Sequence, residues 1–141
     1  MVQVKYKAKN EMIADAVATF PDECCGFLFG EDSEGTRFIR HIQVVNNAKE
    51  GDKRRRFEIS PKDYMLAERF AEDKGLQLLG VYHSHPNHPA IPSEHDRVVA
   101  QPFFSYIILS VYDGELKSIR SWQLNEQSFF EEETINEYSL L

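Results

Sequence analysis

Histidines are concentrated in one short segment, from His83 to Asp96, which holds four of the five histidines of the chain. On a β-strand, side chains two residues apart point to the same face. The spacing therefore predicts that His83 and His85 project together, with their Cα atoms about 6.5 Å apart. Two imidazoles in this arrangement can bind one Zn²⁺ ion at about 2.0–2.1 Å from each nitrogen. The segment predicts a metal site.

A carboxylate that could complete this site lies on the next predicted element, a short helix that begins near Ser93. Ser93 and Asp96 are three residues apart and so share one face of that helix. Asp96 can then supply a third ligand, and three protein ligands leave a fourth position for water, which is typical of catalytic zinc. His88 and His95 could be further ligands. However, His95 points away from the Ser93/Asp96 face and His88 lies in a proline-rich loop, so both are interpreted as surface residues.

A hydrolytic zinc site also needs a general base that takes a proton from water. Glu23 is a candidate because it precedes a short apolar strand, where a carboxylate must face either solvent or a polar pocket. The alternative interpretation is an exposed carboxylate on a loop. Spacing alone does not favour Glu23 over Asp22 or Glu31.

Apolar periodicity and turn signals predict the elements that would position these residues. Asn10 is the predicted cap of a first helix, and a second helix is bounded by the cap Ser60, by Pro61 and by Gly75. The segment from Ser128 is predicted to be a final strand with a frayed end. The remaining predictions are helices over 10–20 and 61–74, and strands over 25–30, 36–46, 57–59, 76–84, 104–112 and 116–123.

The mixture of helices with hairpin-connected strands predicts an α/β (α+β) fold in which helices pack on a mixed sheet. The 141 residues suit a single domain over 1–141, and no repeat or linker divides them. No apolar run of about 18 residues predicts a membrane span, and the first residues lack the apolar region of a secretory signal. A cytoplasmic protein without a membrane partner is therefore expected.

The charge balance indicates that nucleic acid is not a partner, because the net charge is −7 and nucleic-acid binders usually carry a basic face. One basic run, Lys53–Arg56, follows a stretch of loop-like composition. It is interpreted as a solvated loop, and the alternative is a patch that binds an acidic partner.

The two cysteines, Cys24 and Cys25, are adjacent, and a disulfide across one peptide bond would be strained. A disulfide framework is therefore excluded. Buried cysteines are the favoured interpretation, and reactive thiols beside a site are the alternative.

Two motifs together resemble the JAMM (MPN+) metallopeptidases. The stretch Pro21–Gly30 resembles the glutamate-bearing first motif of that family. His83-Ser84-His85-Pro86, followed by Ser93 and Asp96, matches its His-x-His…Ser-x-x-Asp signature. Segments 80–82 and 56–61 also resemble short bacterial members. The resemblance implies a single zinc ion held by His83, His85 and Asp96, with Glu23 as general acid/base and Ser93 stabilising the oxyanion.

The same resemblance implies a curved mixed β-sheet flanked by helices, similar in outline to cytidine deaminase. It implies hydrolysis of a peptide or isopeptide bond next to the C-terminal glycines of a ubiquitin-like or sulfur-carrier protein. A non-catalytic scaffold or binding module for a ubiquitin-like partner is the alternative, although such members usually lose a site residue and none is missing here. A thiol redox protein or a zinc deaminase would need a Cys-x-x-Cys pattern, which the chain lacks.

Overall fold

The structure, a computed structural model, describes residues 1–139. Eight strands form a single mixed sheet and three helices pack on it. The elements in chain order are β1 (Val2–Lys5), α1 (Tyr6–Thr19), β2 (Cys25–Ser33), β3 (Thr36–Val45), α2 (Pro61–Lys74), β4 (Gln77–Pro86), α3 (Glu94–Val99), β5 (Ser105–Tyr112), β6 (Glu115–Leu124), β7 (Phe130–Glu133) and β8 (Ile135–Tyr138). No helix within residues 1–139 is long and apolar enough to cross a membrane.

The sheet has the strand order β7-β6-β5-β4-β2-β3-β1-β8, with parallel pairing of β4 with β5 and of β1 with its two neighbours. Its two edge strands, β7 and β8, are separated along the chain by Thr134 alone. The sheet must therefore curve until its edges nearly meet. The predicted curved mixed sheet flanked by helices is confirmed.

Two apolar cores lie on opposite faces of the sheet. On one face, α1 contributes Ala8, Met12 and Ala16 to a cluster with Leu28 and Tyr82. On the other face, α2 contributes Ala67 and Ala71 to a second cluster that includes Phe27, Phe29 and Val81. Strands β2 and β4 are buried between the two helices, which explains their nearly continuous apolar sequences.

The second helix follows its predicted bounds because both ends carry strong local signals. The hydroxyl of Ser60 accepts a hydrogen bond of 3.1 Å from the amide of Asp63, and Pro61 occupies the first turn. Gly75 ends the helix in the left-handed conformation, with φ of 66°. Helix α1 instead begins at Tyr6, so the prediction that Asn10 caps it was wrong. The chain passes directly from β1 into this helix without a side-chain cap.

The structure differs from the sequence-based expectations at three further places. The predicted strand at 57–59 does not join the sheet, although Phe57 and Ile59 are buried in the second core. Strand β1 was not predicted, because its alternation of apolar and polar residues extends over only four positions. The final segment forms two strands, β7 and β8, rather than the single predicted strand. Residues 140–141, which belong to the predicted frayed end, lie outside the described residues.

Candidate metal centre

The two histidines of β4 converge on one point at the end of that strand. Their side chains are buried on the same face of the sheet, and the Nε2 atoms of His83 and His85 are 3.2 Å apart. The Pro86 ring that follows them ends the strand. His83 and His85 thus share one face of the strand, as their spacing predicts.

Asp96 comes to the same point from the first turn of α3. Its Oδ2 atom is 3.1 Å from Nε2 of His85 and 3.4 Å from Nε2 of His83. Ligands at about 2.0–2.2 Å from a tetrahedral zinc ion are separated from each other by about 3.3–3.5 Å. The three side-chain atoms therefore lie close to the spacing that three ligands of one zinc ion require.

Ser93 and Asp96 form a capping box at the start of α3. The Ser93 hydroxyl accepts a hydrogen bond of 3.0 Å from the Asp96 amide, and the Ser93 amide donates one of 2.9 Å to Oδ2 of Asp96. This reciprocal pair fixes the carboxylate toward the histidines. It also leaves the O–H of Ser93 free as a donor, because a hydroxyl can accept and donate at the same time.

The two imidazole rings are oriented by different contacts. Nδ1 of His85 lies 2.8 Å from the carbonyl oxygen of Pro89, which places its proton on Nδ1 and leaves Nε2 as a ligand atom. The ring of His83 instead stacks on Phe57, with ring centres 4.4 Å apart. Phe57 was predicted only as part of a strand, and its contact with the site was missed because nothing local in the sequence reveals it.

Glu23 reaches the site because of the pairing between β2 and β4. Cys25 lies opposite His83, and the amide of Ser84 donates to the carbonyl of Cys24, which carries Glu23 past the strand end toward His85. Ligand atoms of Glu23, His83 and His85 all lie within 4.8 Å of one another. Of the two environments that the sequence left open for Glu23, solvent or a polar pocket, the structure shows the pocket, because the residue is buried and lines the cleft beside the histidines.

Burial, followed by the negative charges of Asp96 and Asp52, raises the pKa of Glu23 to about 9. Burial alone would also raise the pKa of Asp96, but His83, His85 and the Ser93 amide hold it well below its usual range. Burial lowers the pKa of His83, against the opposite effect of Asp96. Near neutral pH, these shifts favour a neutral His83, an ionised Asp96 and a protonated Glu23 in the metal-free protein.

These residues fit a bound cation. Within residues 1–139, the two buried side-chain polar atoms without a hydrogen-bond partner are Oε1 of Glu23 and Nδ1 of His83, both at this site. Buried polar atoms are rarely left unpartnered, so an unpartnered carboxylate oxygen points to a missing ligand. His83, His85 and Asp96 form the tightest set of donors, and Glu23 with the two histidines forms a second possible set.

Hydrogen bonds to its backbone hold the segment that carries Glu23. The Glu23 amide donates a hydrogen bond of 2.7 Å to the carbonyl of Lys53. Asn47 donates to the carbonyls of Glu23 and Arg56, at 3.1 and 3.0 Å, and accepts from two further backbone amides. Asn47 was not predicted from the sequence, since an asparagine within a loop carries no distinctive spacing.

A cleft of about 660 Å³ opens beside the donors and is lined by Glu23, His85 and Ser93. His88 and His95 also line it, with His88 exposed and His95 half-buried, and neither joins the converging donors in the part of the chain that the structure describes. Cys24 and Cys25 are both buried and free, and burial raises the pKa of each thiol, that of Cys25 to about 12. The buried interpretation of the cysteines is confirmed.

Comparison with known proteins identifies the family of the chain. The profile described as prokaryotic homologs of the JAB domain matches residues 6–125. The chain belongs to this prokaryotic JAB family. The resemblance to JAMM/MPN+ proteins inferred from the two motifs is thereby confirmed.

Relatives and solved structures span most of the chain. A desampylase of Pyrococcus furiosus is 30% identical over 118 residues, covering 82% of this chain and 76% of the relative. A CysO-cysteine peptidase of Mycobacterium tuberculosis is 29% identical over 124 residues, covering 87% and 82%. A solution structure from Desulfitobacterium hafniense has a TM-score of 0.87 and 29% identity, over 100% of this chain and 95% of that one. A JAB1/MPN domain protein of Archaeoglobus fulgidus shares the fold, with a TM-score of 0.59 and 18% identity over 96% and 97%.

Proposed function

We propose that this protein is a zinc-dependent peptidase or isopeptidase. Its expected substrate is a ubiquitin-like or sulfur-carrier protein, cut at the amide bond next to the C-terminal glycines. The observation that carries the proposal is the convergence of His83, His85 and Asp96 at 3.1–3.4 Å beside the unpartnered carboxylate of Glu23. The names of the desampylase and CysO-cysteine peptidase relatives support hydrolysis of a protein conjugate.

His83, His85 and Asp96 would hold the zinc ion, and Glu23 is assigned to proton transfer. Asp96 is the better ligand of the two carboxylates because its Oδ2 contacts both histidine nitrogens and its pKa lies below the usual range. When bound, zinc supplies a Lewis acid that polarises the scissile carbonyl, lowers the pKa of water and offsets the negative charge around Glu23.

Glu23 would act at both ends of the hydrolysis. Its carboxylate takes a proton from the attacking water, whose oxygen bonds to the carbonyl carbon. The C–N bond then breaks, and the protonated Glu23 gives that proton to the leaving nitrogen. The burial of Glu23, which is 3% exposed, suits this role because a partly desolvated carboxyl exchanges protons near neutral pH more readily than an exposed one.

Ser93 would donate a hydrogen bond from its hydroxyl to the oxyanion that develops on the scissile carbonyl. It lines the cleft together with Glu23 and His85, and its oxygen already accepts from the Asp96 amide. That capping bond orients the hydroxyl and leaves its proton available to substrate. The serine would therefore serve the helix and the reaction at once.

The alternative is a non-catalytic scaffold that binds a ubiquitin-like partner. All five residues that the hydrolytic mechanism needs are present and close together, so nothing within residues 1–139 favours this alternative over the enzyme. A cytoplasmic location and the lack of a nucleic-acid or membrane partner remain predictions.

The test uses a sulfur-carrier protein from the same genome that ends in Gly-Gly and is extended by one residue. Mass spectrometry should show cleavage after the terminal glycine, loss of cleavage after treatment with a chelator, and recovery when Zn²⁺ is added. Glu23→Gln should bind the conjugate without cutting it. If the zinc-loaded protein binds the conjugate and leaves it intact, the scaffold alternative is correct.

A further inference from the structure

The basic loop Lys53–Arg56 forms one wall of the cleft. Arg55 and Arg56 line the same cavity as Glu23 and His85. The protein has a net charge of −7, so two arginines beside a reactive site run against its overall charge. The loop is exposed, as the solvated-loop interpretation predicts, but solvation alone does not explain why two of its arginines line the cleft.

Neither guanidinium is neutralised by a strong internal partner. Arg55 is 81% exposed and pairs with Asp52 at 3.8 Å, a contact that contributes little in water. Over residues 1–139, Arg56 forms no ion pair. Two carboxylates line the cleft, Glu23 and Glu94, and Glu94 is already paired with Arg97. The two arginines are therefore available to an anionic ligand.

The loop is fixed to the segment that carries Glu23. The carbonyl of Lys53 accepts a hydrogen bond of 2.7 Å from the Glu23 amide. The Asn47 side chain donates to the carbonyls of both Glu23 and Arg56. The backbone that carries the two arginines thus has a defined position relative to the proposed proton donor, and their side chains extend from it into solvent at the cleft.

This position indicates which part of a substrate faces the arginines. The leaving nitrogen must approach Glu23 to receive its proton, so the residue attached to that nitrogen lies on the side of the loop. An α-carboxylate is two bonds from its own nitrogen. A lysine side chain joined through its ε-nitrogen instead presents methylene groups at that distance. Guanidinium groups bind carboxylates through paired, charge-assisted hydrogen bonds.

We propose that Arg55 and Arg56 bind the free α-carboxylate of a single residue that follows the scissile bond. The inference rests on the proposed hydrolase function and deepens it. It makes the protein a peptidase that removes one C-terminal residue from its carrier, in preference to an isopeptidase that acts on lysine side chains.

The test compares three conjugates of one sulfur-carrier protein that ends in Gly-Gly. Its terminal glycine is joined to alanine, to alaninamide, or to the ε-nitrogen of N-acetyl-lysinamide. The zinc-loaded enzyme should cleave the alanine conjugate with kcat/KM about tenfold or more above the other two. Increasing salt should reduce this preference, because the cations are exposed.

Variants assign the preference to the two arginines. Arg55→Gln and Arg56→Gln should each reduce cleavage of the alanine conjugate several-fold, the double variant should abolish the preference, and the alaninamide conjugate should be unaffected. Arg54→Gln is the matched control, since Arg54 is exposed on the same loop but does not line the cleft. Fluorescence anisotropy on metal-free protein should show a lower Kd for the alanine conjugate than for the alaninamide conjugate.

The outcomes separate the two proposals. Equal cleavage of all three conjugates by the wild-type enzyme, or a preference that survives in the double variant, would overturn the arginine assignment and leave the hydrolase intact. If the zinc-loaded enzyme cleaves none of the three, the proposed function is wrong and the inference fails with it.

Discussion

The amide of Cys24 donates a hydrogen bond of 2.8 Å to the hydroxyl of Ser84, the residue between the two metal-site histidines. In return, the amide of Ser84 donates to the carbonyl of Cys24 at 3.2 Å. These two bonds extend the pairing of β2 with β4 beyond Cys25 and His83, and so place Glu23 beside the histidines. Ser84 is buried, and the alternation along β4 places its side chain on the face opposite His83 and His85. It therefore supports the metal site indirectly, by holding the backbone amide of Cys24.

Replacing Ser84 by alanine should therefore destabilise the protein and loosen Glu23. The Cys24 amide would be left buried without a partner, which typically reduces the free energy of unfolding by about 1–3 kcal/mol. Urea unfolding of the metal-free protein measures this loss. Ser33→Ala, at an exposed position, is the control. A Ser84→Ala protein as stable as the control would show that this bond does not hold the strand end.

Ser93 has two roles that different substitutions can separate. Alanine removes both the helix cap and the oxyanion donor, whereas glycine retains most of the capping preference without a hydroxyl. Both variants should lose of order 10²-fold in kcat. Ser93→Ala alone should also lose about 1 kcal/mol of stability. If Ser93→Gly keeps the wild-type kcat, the hydroxyl takes no part in the reaction.

The raised pKa of Glu23 predicts a pH-dependent stability of the metal-free protein. The native state holds the Glu23 proton up to about pH 9, while the unfolded chain releases it near 4.5. The native state therefore binds more protons between these values, and the free energy of unfolding contributed by this group falls as pH rises through that window. Glu23→Gln should consequently raise the Tm of metal-free protein by several degrees at pH 8, with little difference at pH 4.5.

Thermal unfolding in the presence of a chelator measures this difference. Glu50→Gln, an exposed carboxylate on the neighbouring loop, serves as the matched control. Parallel pH profiles for wild type and Glu23→Gln would mean that the Glu23 carboxyl is solvated in the native state, contrary to its observed burial.

Asn47 is predicted to be a positioning residue for Glu23. Asn47→Asp keeps the two hydrogen bonds that the side-chain oxygen accepts, but it loses the two that the side-chain nitrogen donates to Glu23 and Arg56. We expect kcat to fall about tenfold with zinc content unchanged, because none of these four hydrogen bonds of the Asn47 side chain goes to His83, His85 or Asp96. Asn46→Asp, at the exposed neighbouring position, introduces the same charge as a control. An unchanged kcat in Asn47→Asp would remove Asn47 from this role.

Local signals in the sequence predicted those features that depend on neighbouring residues. The ends of α2 follow from Ser60, Pro61 and Gly75, and the shared face of His83 and His85 follows from strand geometry. Asp96 could be placed with them because its helix follows after a short loop. Each of these features needs information from only a few residues around it.

Features that depend on long-range pairing could not be predicted in this way. Glu23 and His85 lie 62 positions apart in the sequence. They come together because β2 pairs with β4 in the register that places Cys25 opposite His83. From spacing alone Glu23 was equivalent to Asp22 and Glu31, so the resemblance to a family was needed to select it. Phe57 was predicted to lie in a short strand over 57–59. The segment does not join the sheet, and the Phe57 side chain instead stacks on His83.

The most direct test of the central claim is the zinc content and zinc affinity of three proteins: wild type, Glu23→Gln and Asp96→Asn. If His83, His85 and Asp96 are the ligands, wild type and Glu23→Gln should each bind about one zinc ion with similar affinity, while Asp96→Asn should bind zinc at least about tenfold more weakly. Glu23→Gln should be inactive despite its zinc. Loss of zinc from Glu23→Gln, with zinc retained by Asp96→Asn, would show that Glu23 is the ligand and would contradict the proposed mechanism.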